Sequence, residues 1–303
     1  MIRVLPLKLT FEAESTLRLP DYPGALWRSA FGARLRRDAC ITGAASCDGC
    51  AVRQRCAYGA VFEPAPTSRS LGLLQQFQDL PRPYVISPRH RGGEYGAGHR
   101  LPLDLILTES ALPHFKAAET AFSRLELHGT CMRIIDVAVC PPTEDTQPAA
   151  TTAAGSTGYP IDAPPAPGTA RIVLEHPLRL RQDKREVDAS RFTVAVFVSS
   201  LLRRISSLHD ATAAAPMQAN YRALIHHASE RVHLTDVRLS WVHAERRSAR
   251  QQRRVPMGGL IGCFTIEGDL EPLWPWLWAG QWAHVGKGAV MGLGRYRIDH
   301  FDR

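Results

Sequence analysis

The chain has 303 residues, of which 45% are hydrophobic, and a formal net charge of +8 at pH 7. It contains no run of about 18 apolar residues, which argues against a membrane-spanning helix, and its start lacks the apolar core of a secretory signal. We therefore expect a cytoplasmic protein with room for two domains. Arginine greatly outnumbers lysine, and its planar donors suit phosphate, although a merely basic surface is the alternative.

The first half alternates predicted strands and helices. In chain order these are a strand over 1–12, a helix over 25–39, a short amphipathic segment over 71–80, a strand over 101–107, a helix over 113–127 and a strand over 131–140. The strands are indicated by apolar residues at every second position, and the helices by a period near 3.6. A short strand at 58–62 or at 84–87 completes a βαββαβ unit.

The second half repeats this order after a Pro-, Ala- and Thr-rich segment, 141–169, which is typical of a flexible linker. Its predicted elements are a strand over 172–180, helices over 194–208 and 217–230, strands over 237–243 and 260–266, a helix over 269–281 and a strand over 290–298. We predict an α+β protein of two tandem ferredoxin-like (RRM-like) βαββαβ domains, residues 1–140 and 170–303.

A cysteine cluster interrupts the first domain between residues 40 and 56. Its spacing, Cys40-x6-Cys47-x2-Cys50-x5-Cys56, includes the two-residue gap that lets a pair of thiolates grip one tetrahedral ion. Four thiolates predict a closed, structural zinc site, and the spacing differs from the common iron–sulfur runs. The alternative is four free thiols.

A glycine-rich loop with one lysine lies near the end of the chain, over residues 284–296. Glycines let a large partner approach the backbone, and bare N–H groups can cradle phosphate oxygens. No Ser or Thr follows Lys287, so the nucleotide-binding P-loop is a poor match. The alternative is a tight loop before the final strand.

Five arginines fall within the turn 245–254, between two predicted strands. Such a hairpin tip can lie along RNA phosphates, although a solvated turn is the alternative. Metal-independent RNA cleavage needs a general base and a general acid, a role for which histidine is well suited. The histidines considered for that role are His90, His99, His226, His227, His243 and His284, of which only His284 adjoins the glycine-rich loop.

Motifs in both halves resemble the CRISPR repeat-processing endoribonuclease family of the RAMP superfamily. The C-terminal motifs are Arg247-Ser248-x-Arg250-Gln251, Met257-Gly258-Gly259-Leu260-Ile261-Gly262, Gly268-Asp269-Leu270-x-Pro272, His284-Val285-Gly286-Lys287-Gly288 and Gly292-Leu293-Gly294-x-Tyr296. The N-terminal motifs are Leu26-x5-Gly32-x2-Leu35-Arg36, Cys47-x2-Cys50-x5-Cys56-x-Tyr58 and Val61-Phe62-Glu63-Pro64. The resemblance covers most of the chain apart from 141–169.

The resemblance implies tandem ferredoxin-like domains that bind CRISPR repeat RNA and cut precursor transcripts without a metal. It also implies that the guide RNA often stays bound and that the enzyme joins effector-complex subunits, with no membrane partner. The residues that we expect to contact RNA are Arg34, Arg37, Arg247, Arg250, Arg253, Arg254, Gly286, Lys287, Gly288, Gly292, Gly294 and Arg295.

The chain departs from the family pattern in its histidines. Many members have a catalytic histidine near the first helix, whereas no histidine precedes His90 here. This resembles the divergent type IV branch, in which arginines stabilise the pentavalent phosphate. Arg28 and Arg36 are then the predicted catalytic residues, with His284 assisting. The alternative is a guide-RNA-binding subunit of an effector complex that does not cut.

Overall fold

The computed structural model describes two compact units. The described residues are 2–65, 80–142, 158–211, 217–248 and 253–301. The N-terminal unit comprises Ile2–Pro160 and Ser207–Met217, and the C-terminal unit comprises Ile161–Ser206 and Gln218–Arg303. The linker over 141–169 stays a prediction, since 143–157 lie outside the described residues.

The N-terminal unit contains β-strands and three α-helices of short to medium length. Its elements are β1 (Arg3–Ala13), β2 (Leu17–Leu19), α1 (Gly24–Ala39), α2 (Ala57–Val61), β3 (Tyr84–Pro88), β4 (Gly93–Tyr95), β5 (Arg100–Thr108), α3 (Phe115–Phe122), β6 (Leu125–Leu127), β7 (Thr130–Val139) and β8 (Tyr159–Pro160).

The main sheet of this unit is antiparallel and has β1 at its centre. Its order is β3-β5-β1-β7-β6, with β8 paired to the start of β1. Alternate residues of β1, such as Leu9 and Phe11, are buried. Phe11 contacts Trp27 of α1 at 4.8 Å between ring centroids, and Phe31 of α1 stacks on Phe122 of α3 at 4.5 Å. Aromatic packing of this kind joins α1 to the sheet and to α3.

The C-terminal unit repeats the same architecture. Its elements are β9 (Thr169–Leu178), β10 (Arg181–Gln182), β11 (Arg185–Glu186), α4 (Val194–Asp210), α5 (Tyr221–Glu230), β12 (Val232–Val242), β13 (Glu245–Ser248), β14 (Arg253–Pro256), β15 (Gly259–Gly268), α6 (Trp274–Ala283) and β16 (Tyr296–Phe301). The end of α4 is assigned to the N-terminal unit.

The sheet of the C-terminal unit has the order β12-β15-β9-β16. Phe197 of α4 packs edge-on against Phe264 of β15 and Tyr296 of β16, at 5.5 and 5.4 Å. The Tyr296 hydroxyl donates to the Leu277 carbonyl of α6 at 2.5 Å, so α6 is tied to the last strand. In both units the first strand of a βαββαβ unit lies between the third and the fourth, which is the ferredoxin-like order. The predicted α+β fold of two tandem ferredoxin-like domains is confirmed.

Several predicted elements differ from the structure at their ends. The helix predicted over 113–127 is shorter in the structure: Pro113 lies in a 3-10 turn over Glu109–His114, which precedes α3, and Leu125–Leu127 form β6. Of the two alternative strands, 84–87 is confirmed as β3, and 58–62 is mostly α2. The last strand begins at Tyr296, not at 290. Most of the segment 71–80 lies outside the described residues.

The sequence predicted no membrane-spanning helix. Within the described residues, no helix combines the length and the apolar character that crossing a bilayer requires.

We expect Gly280→Ala to destabilise the C-terminal unit. A Cβ at this position of α6 would lie 2.2 Å from the Tyr296 hydroxyl oxygen and 2.4 Å from Leu201 Cδ1. Overpacking of this kind costs about 1–3 kcal/mol, only partly offset by the better helix propensity of alanine. Urea unfolding should therefore show a lower free energy of unfolding. Gly168→Ala, which meets nothing within 4 Å, is the matched control, and an equal effect in both variants would contradict the expectation.

Candidate nucleic-acid interface

The glycine-rich loop follows α6 and folds back onto the end of β9. Gly286 and Gly294 have φ of 82° and 65°, in the left-handed region. A Cβ at Gly286 would lie 2.5 Å from the Arg179 carbonyl oxygen, and one at Gly294 would lie 1.7 Å from the Val285 carbonyl oxygen. Both glycines are therefore required by the conformation of the loop itself, before any role in binding RNA.

Backbone hydrogen bonds join this loop to the end of β9 and to the residue that follows β9. The Lys287 amide donates to the Arg179 carbonyl at 2.9 Å, and the Gly294 amide donates to the Pro177 carbonyl at 2.9 Å. The Val285 amide donates to the Gly294 carbonyl at 3.2 Å. As a result the exposed Lys287 stands beside the charged residues that follow β9.

Four cations meet around the loop. Partial burial lowers the pKa of Lys287, and the positive charges of Arg181 and Arg179 lower it further. Arg203 acts in the same direction, whereas Glu186 opposes it. Glu186 pairs with Arg179 through two hydrogen bonds, of 2.7 and 3.2 Å, and its carboxylate lies 3.6 Å from Arg181 Nε. One carboxylate therefore neutralises only part of this cluster, which can take up further negative charge.

We call Arg179, Arg181, Arg203 and Lys287 the loop cation cluster. Of these four residues only Lys287 was predicted from the sequence. For Arg179 and Arg181 the signal in the sequence was the charged turn that follows β9, which folds into the hairpin of β10 and β11. Arg203 comes from α4 and approaches the loop only in the folded chain.

Arg295, predicted to contact RNA, is held by an ion pair instead. Its Nε donates to Glu175 at 2.5 Å, and Arg297 Nε lies 3.2 Å from the same carboxylate. The side chain of Arg295 is only 13% exposed. This arginine therefore joins the end of the loop to β9.

His284, predicted to assist catalysis, is buried. Its side chain is 1% exposed, and its φ of 54° is rare for a residue other than glycine. Burial, followed by the charges of Arg295 and His176, holds its pKa well below the usual value. Within the described residues, Nδ1 has no hydrogen-bond partner. An interior imidazole of this kind cannot reach a bound RNA, so its predicted catalytic role is not supported and we assign it to the packing of the loop.

The arginines of α1 are also engaged. The Arg28 guanidinium lies 4.3 Å above the Phe62 ring. Arg36 donates to the carbonyls of Ala44 and Ala45 at 2.5 and 2.9 Å. In this arrangement both predicted catalytic arginines hold the cysteine-rich segment and its neighbours against α1.

The other two arginines of α1 differ from each other. Arg34 forms a two-bond ion pair with Asp38, at 2.8 and 2.9 Å, whereas Arg37 is exposed. To bind an RNA phosphate with the donors that hold Asp38, Arg34 has to release that carboxylate. Arg37 is already exposed to solvent.

The cysteine-rich segment brings its four thiols around one small cavity of about 10 Å³. The Thr42 hydroxyl stands between Cys40 and Cys50, at 3.7 and 3.9 Å from their sulfurs, and the Cys56 thiol faces the Ala39 carbonyl at 3.6 Å. All the cysteines are free. Nowhere in the described ranges do three or more His, Cys, Asp or Glu side chains form a metal-holding group, so the structural zinc predicted for Cys40, Cys47, Cys50 and Cys56 is not supported.

The arginine-rich turn is a two-stranded ribbon made of β13 and β14. Its register places Arg247 opposite Arg254 and Ser248 opposite Arg253. Arg250 lies outside the described residues.

Each of the two units matches a different family model. Residues 172–296 match the family model described as CRISPR-associated endoribonuclease Cas6, and residues 2–140 match a model of the AF_1859 N-terminal domain. No curated protein sequence matches the chain significantly.

Among solved structures, a Cas6 product complex has a TM-score of 0.61 at 16% identity, over 98% of this chain and 99% of that chain. Thermus thermophilus Cas6 has a TM-score of 0.57 at 15% identity, over 98% of this chain and 99% of that chain. A partial Cas6-RT-Cas1–Cas2 complex gives 0.58 at 13% identity, over 99% of this chain and 46% of that chain. At these identities the similarity establishes the fold.

The chain shares the fold of its two ferredoxin-like units with solved Cas6 structures. Over residues 172–296, which include the basic glycine-rich loop, its sequence matches the family model of the CRISPR-associated endoribonuclease Cas6. The family resemblance found in the sequence is therefore confirmed, whereas the type IV branch stays a prediction.

Acid is expected to destabilise the chain through His284. An unfolded histidine has a pKa near 6.5, and burial holds that of His284 well below this value. The stability that it contributes is therefore present above about pH 6.5 and is lost as the pH falls below that value. Asparagine tolerates a positive φ, so His284→Asn removes this titration. Urea unfolding at about pH 7.5 and 5.5 should show a smaller loss in the variant, and equal losses would refute the assignment.

Proposed function

We propose that the chain binds CRISPR repeat RNA and cleaves precursor transcripts into guide RNAs. The observation that carries this proposal is the loop cation cluster, which lies within the part of the chain that matches Cas6. Arginine and lysine bind RNA phosphates through charge-assisted hydrogen bonds. The glycines Gly286, Gly288, Gly292 and Gly294 adopt the positive φ angles that fold the loop beside those cations.

Cleavage is proposed to proceed by attack of the RNA 2′-hydroxyl on the adjacent phosphate. This nucleophile belongs to the substrate, so the protein has to position it, accept its proton and stabilise the charge of the pentavalent phosphate. Protein side chains can perform all three tasks, and we therefore propose a reaction that needs no metal. The products are a 2′,3′-cyclic phosphate and a 5′-hydroxyl end.

The arginine ribbon is proposed as a second contact with the RNA backbone. Arg247, Arg253 and Arg254 belong to it, and Arg250 extends it beyond the described residues. Exposed Arg37 is proposed to contribute from the other unit. After cutting, the guide RNA is proposed to stay bound and to be passed on together with the enzyme to effector-complex subunits.

A guide-RNA-binding subunit that does not cut is the second candidate. It is favoured by the engagement of Arg28 with Phe62 and of Arg36 with two carbonyl groups. In this arrangement both of the predicted catalytic guanidinium groups already make contacts within the chain.

A cleavage assay separates the two candidates. We expect the purified chain to cut its cognate repeat hairpin in the presence of EDTA, because the nucleophile and the cations require no added ion. The product should carry a 2′,3′-cyclic phosphate, detected by its resistance to ligation until the terminal phosphate is removed to give a 3′-hydroxyl. The control is the same RNA with a single 2′-deoxy nucleotide before the cut site, which should stay intact. Intact unmodified RNA with tight, salt-sensitive binding would instead support the non-cutting subunit.

The loop cation cluster is tested by affinity. Lys287→Ala and Arg181→Ala should each raise the Kd for repeat RNA by roughly tenfold, about 1.4 kcal/mol. Each should also reduce the slope of log K against log salt by about one phosphate contact. Filter binding or fluorescence anisotropy over a salt series measures both quantities. Lys116→Ala, which removes a surface lysine paired with Glu119 on α3, is the matched control. If Lys116→Ala weakens binding as much as the other two variants, the assignment is wrong.

A further inference from the structure

A histidine-containing loop, residues 89–99, is held firmly on the N-terminal unit. Its strand β4 pairs with β2, with Tyr95 opposite Leu17. Beyond β4, the Gly98 amide donates to the Ala13 carbonyl at 2.8 Å, and the Ala13 amide donates to the His99 carbonyl at 3.2 Å. These bonds join the backbone at His99 to the end of the central strand β1. The position of His99 is therefore set by the sheet, although the loop itself is exposed.

His90 supports this loop and is not free to act on a substrate. Trp27 Nε1 donates to His90 Nε2 at 3.2 Å, so that nitrogen is the acceptor of a neutral ring. His90 Nδ1 then carries the proton and faces the Arg91 carbonyl at 3.3 Å. Burial lowers the pKa of His90 to about 4, which agrees with a neutral ring. Both ring nitrogens have partners, and the role of His90 is to connect the loop to α1.

Tyr95 lies between the two histidines. Its hydroxyl donates to the same Arg91 carbonyl at 2.7 Å. Its ring centroid lies 5.8 Å from that of His90 and 4.8 Å from that of His99. The imidazole of His99 thus packs on an aromatic ring whose own position is fixed by a hydrogen bond.

His99 itself is exposed and available. Within the part of the chain that the structure describes, neither of its ring nitrogens has a hydrogen-bond partner. The glycines before it, Gly96 and Gly98, have nothing within 4 Å of the Cβ position, so the surface beside the ring is open to a large substrate. Exposed Arg100 follows it in the chain, and an arginine of this kind attracts phosphate groups.

Several other histidines lack this availability. His284 is buried, His176 Nδ1 lies 2.8 Å from the Gly292 carbonyl, and His227 Nε2 lies 2.8 Å from the Asp269 carbonyl. His226 on α5 is exposed, but no glycine-rich loop and no fixed aromatic ring adjoin it. It is therefore a useful control.

We infer that His99 is the general base of the RNA cleavage proposed above, an assignment that rests on that proposed function. The His99 imidazole accepts the proton of the 2′-hydroxyl while the 2′-oxygen forms a bond to phosphorus. The bond between phosphorus and the 5′-oxygen breaks, and its electron pair stays on that oxygen. The leaving oxygen takes a proton from water, and the imidazolium returns its proton to the hydroxide so formed.

The test is single-turnover cleavage of the cognate repeat hairpin at saturating protein. His99→Ala should lower the rate constant by about 10²–10⁴-fold, the usual contribution of a general base, while the Kd changes less than about twofold. Added imidazole should restore part of the rate to His99→Ala, which a purely structural loss would not allow. His226→Ala should cleave at the wild-type rate.

The outcomes that overturn the assignment are distinct. A His99→Ala variant that cleaves within about threefold of the wild-type rate, far below the effect of losing a general base, removes His99 from the reaction while leaving the proposed function in place. A loss of rate that imidazole does not restore, accompanied by a changed circular dichroism spectrum, also overturns it. A wild-type protein that leaves the RNA intact overturns the proposed function, and with it the role of His99.

Discussion

The two hydrogen bonds that tie the glycine-rich loop to the end of β9 set the geometry of the basic site. The Lys287 amide donates to the carbonyl of Arg179, the residue after β9, and the Gly294 amide donates to the carbonyl of Pro177 in β9. These bonds place the lysine beside the arginines that follow β9. Like charges gathered in this way repel each other at a free-energy cost that Glu186 offsets only in part. A phosphate backbone relieves the remaining repulsion, so the same constraint that strains the free protein favours its RNA complex.

The two units use one topology for different purposes. In the C-terminal unit the arginines after β9 remain close to the surface around a loop. In the N-terminal unit two arginines of α1 are engaged by the chain itself: Arg28 covers Phe62, and Arg36 binds carbonyl groups of the cysteine-rich segment. A guanidinium supplies five donors and a flat apolar face, so it can serve either purpose. The chain therefore separates the cations that we assign to RNA from those that hold its own insertion.

Period and spacing were sufficient to predict the fold, because the central strands bury alternate apolar residues over part of their length, as β1 does at Leu7, Leu9 and Phe11. They failed for the final strand, because the glycines at 292 and 294 adopt positive φ and delay it to Tyr296. The site was harder to predict. The pair of Arg295 with Glu175 joins residues 120 positions apart, and whether four cysteines converge depends on the path of the chain between them, in which Thr42 intervenes. The sequence spacing records neither of these facts.

The central position of β1 has a consequence for synthesis of the protein on the ribosome. β1 is made first, but its partners β5 and β7 end at Thr108 and Val139. One edge of an apolar strand therefore stays unpaired until β5 has been translated and the other until β7 has been translated, and unpaired edges invite pairing with other chains. β9 faces the same delay, because β15 and β16 come at the end of the chain. The sheet of each unit is completed only when its last strand has left the exit tunnel, and until then the waiting strands are open to pairing with other chains.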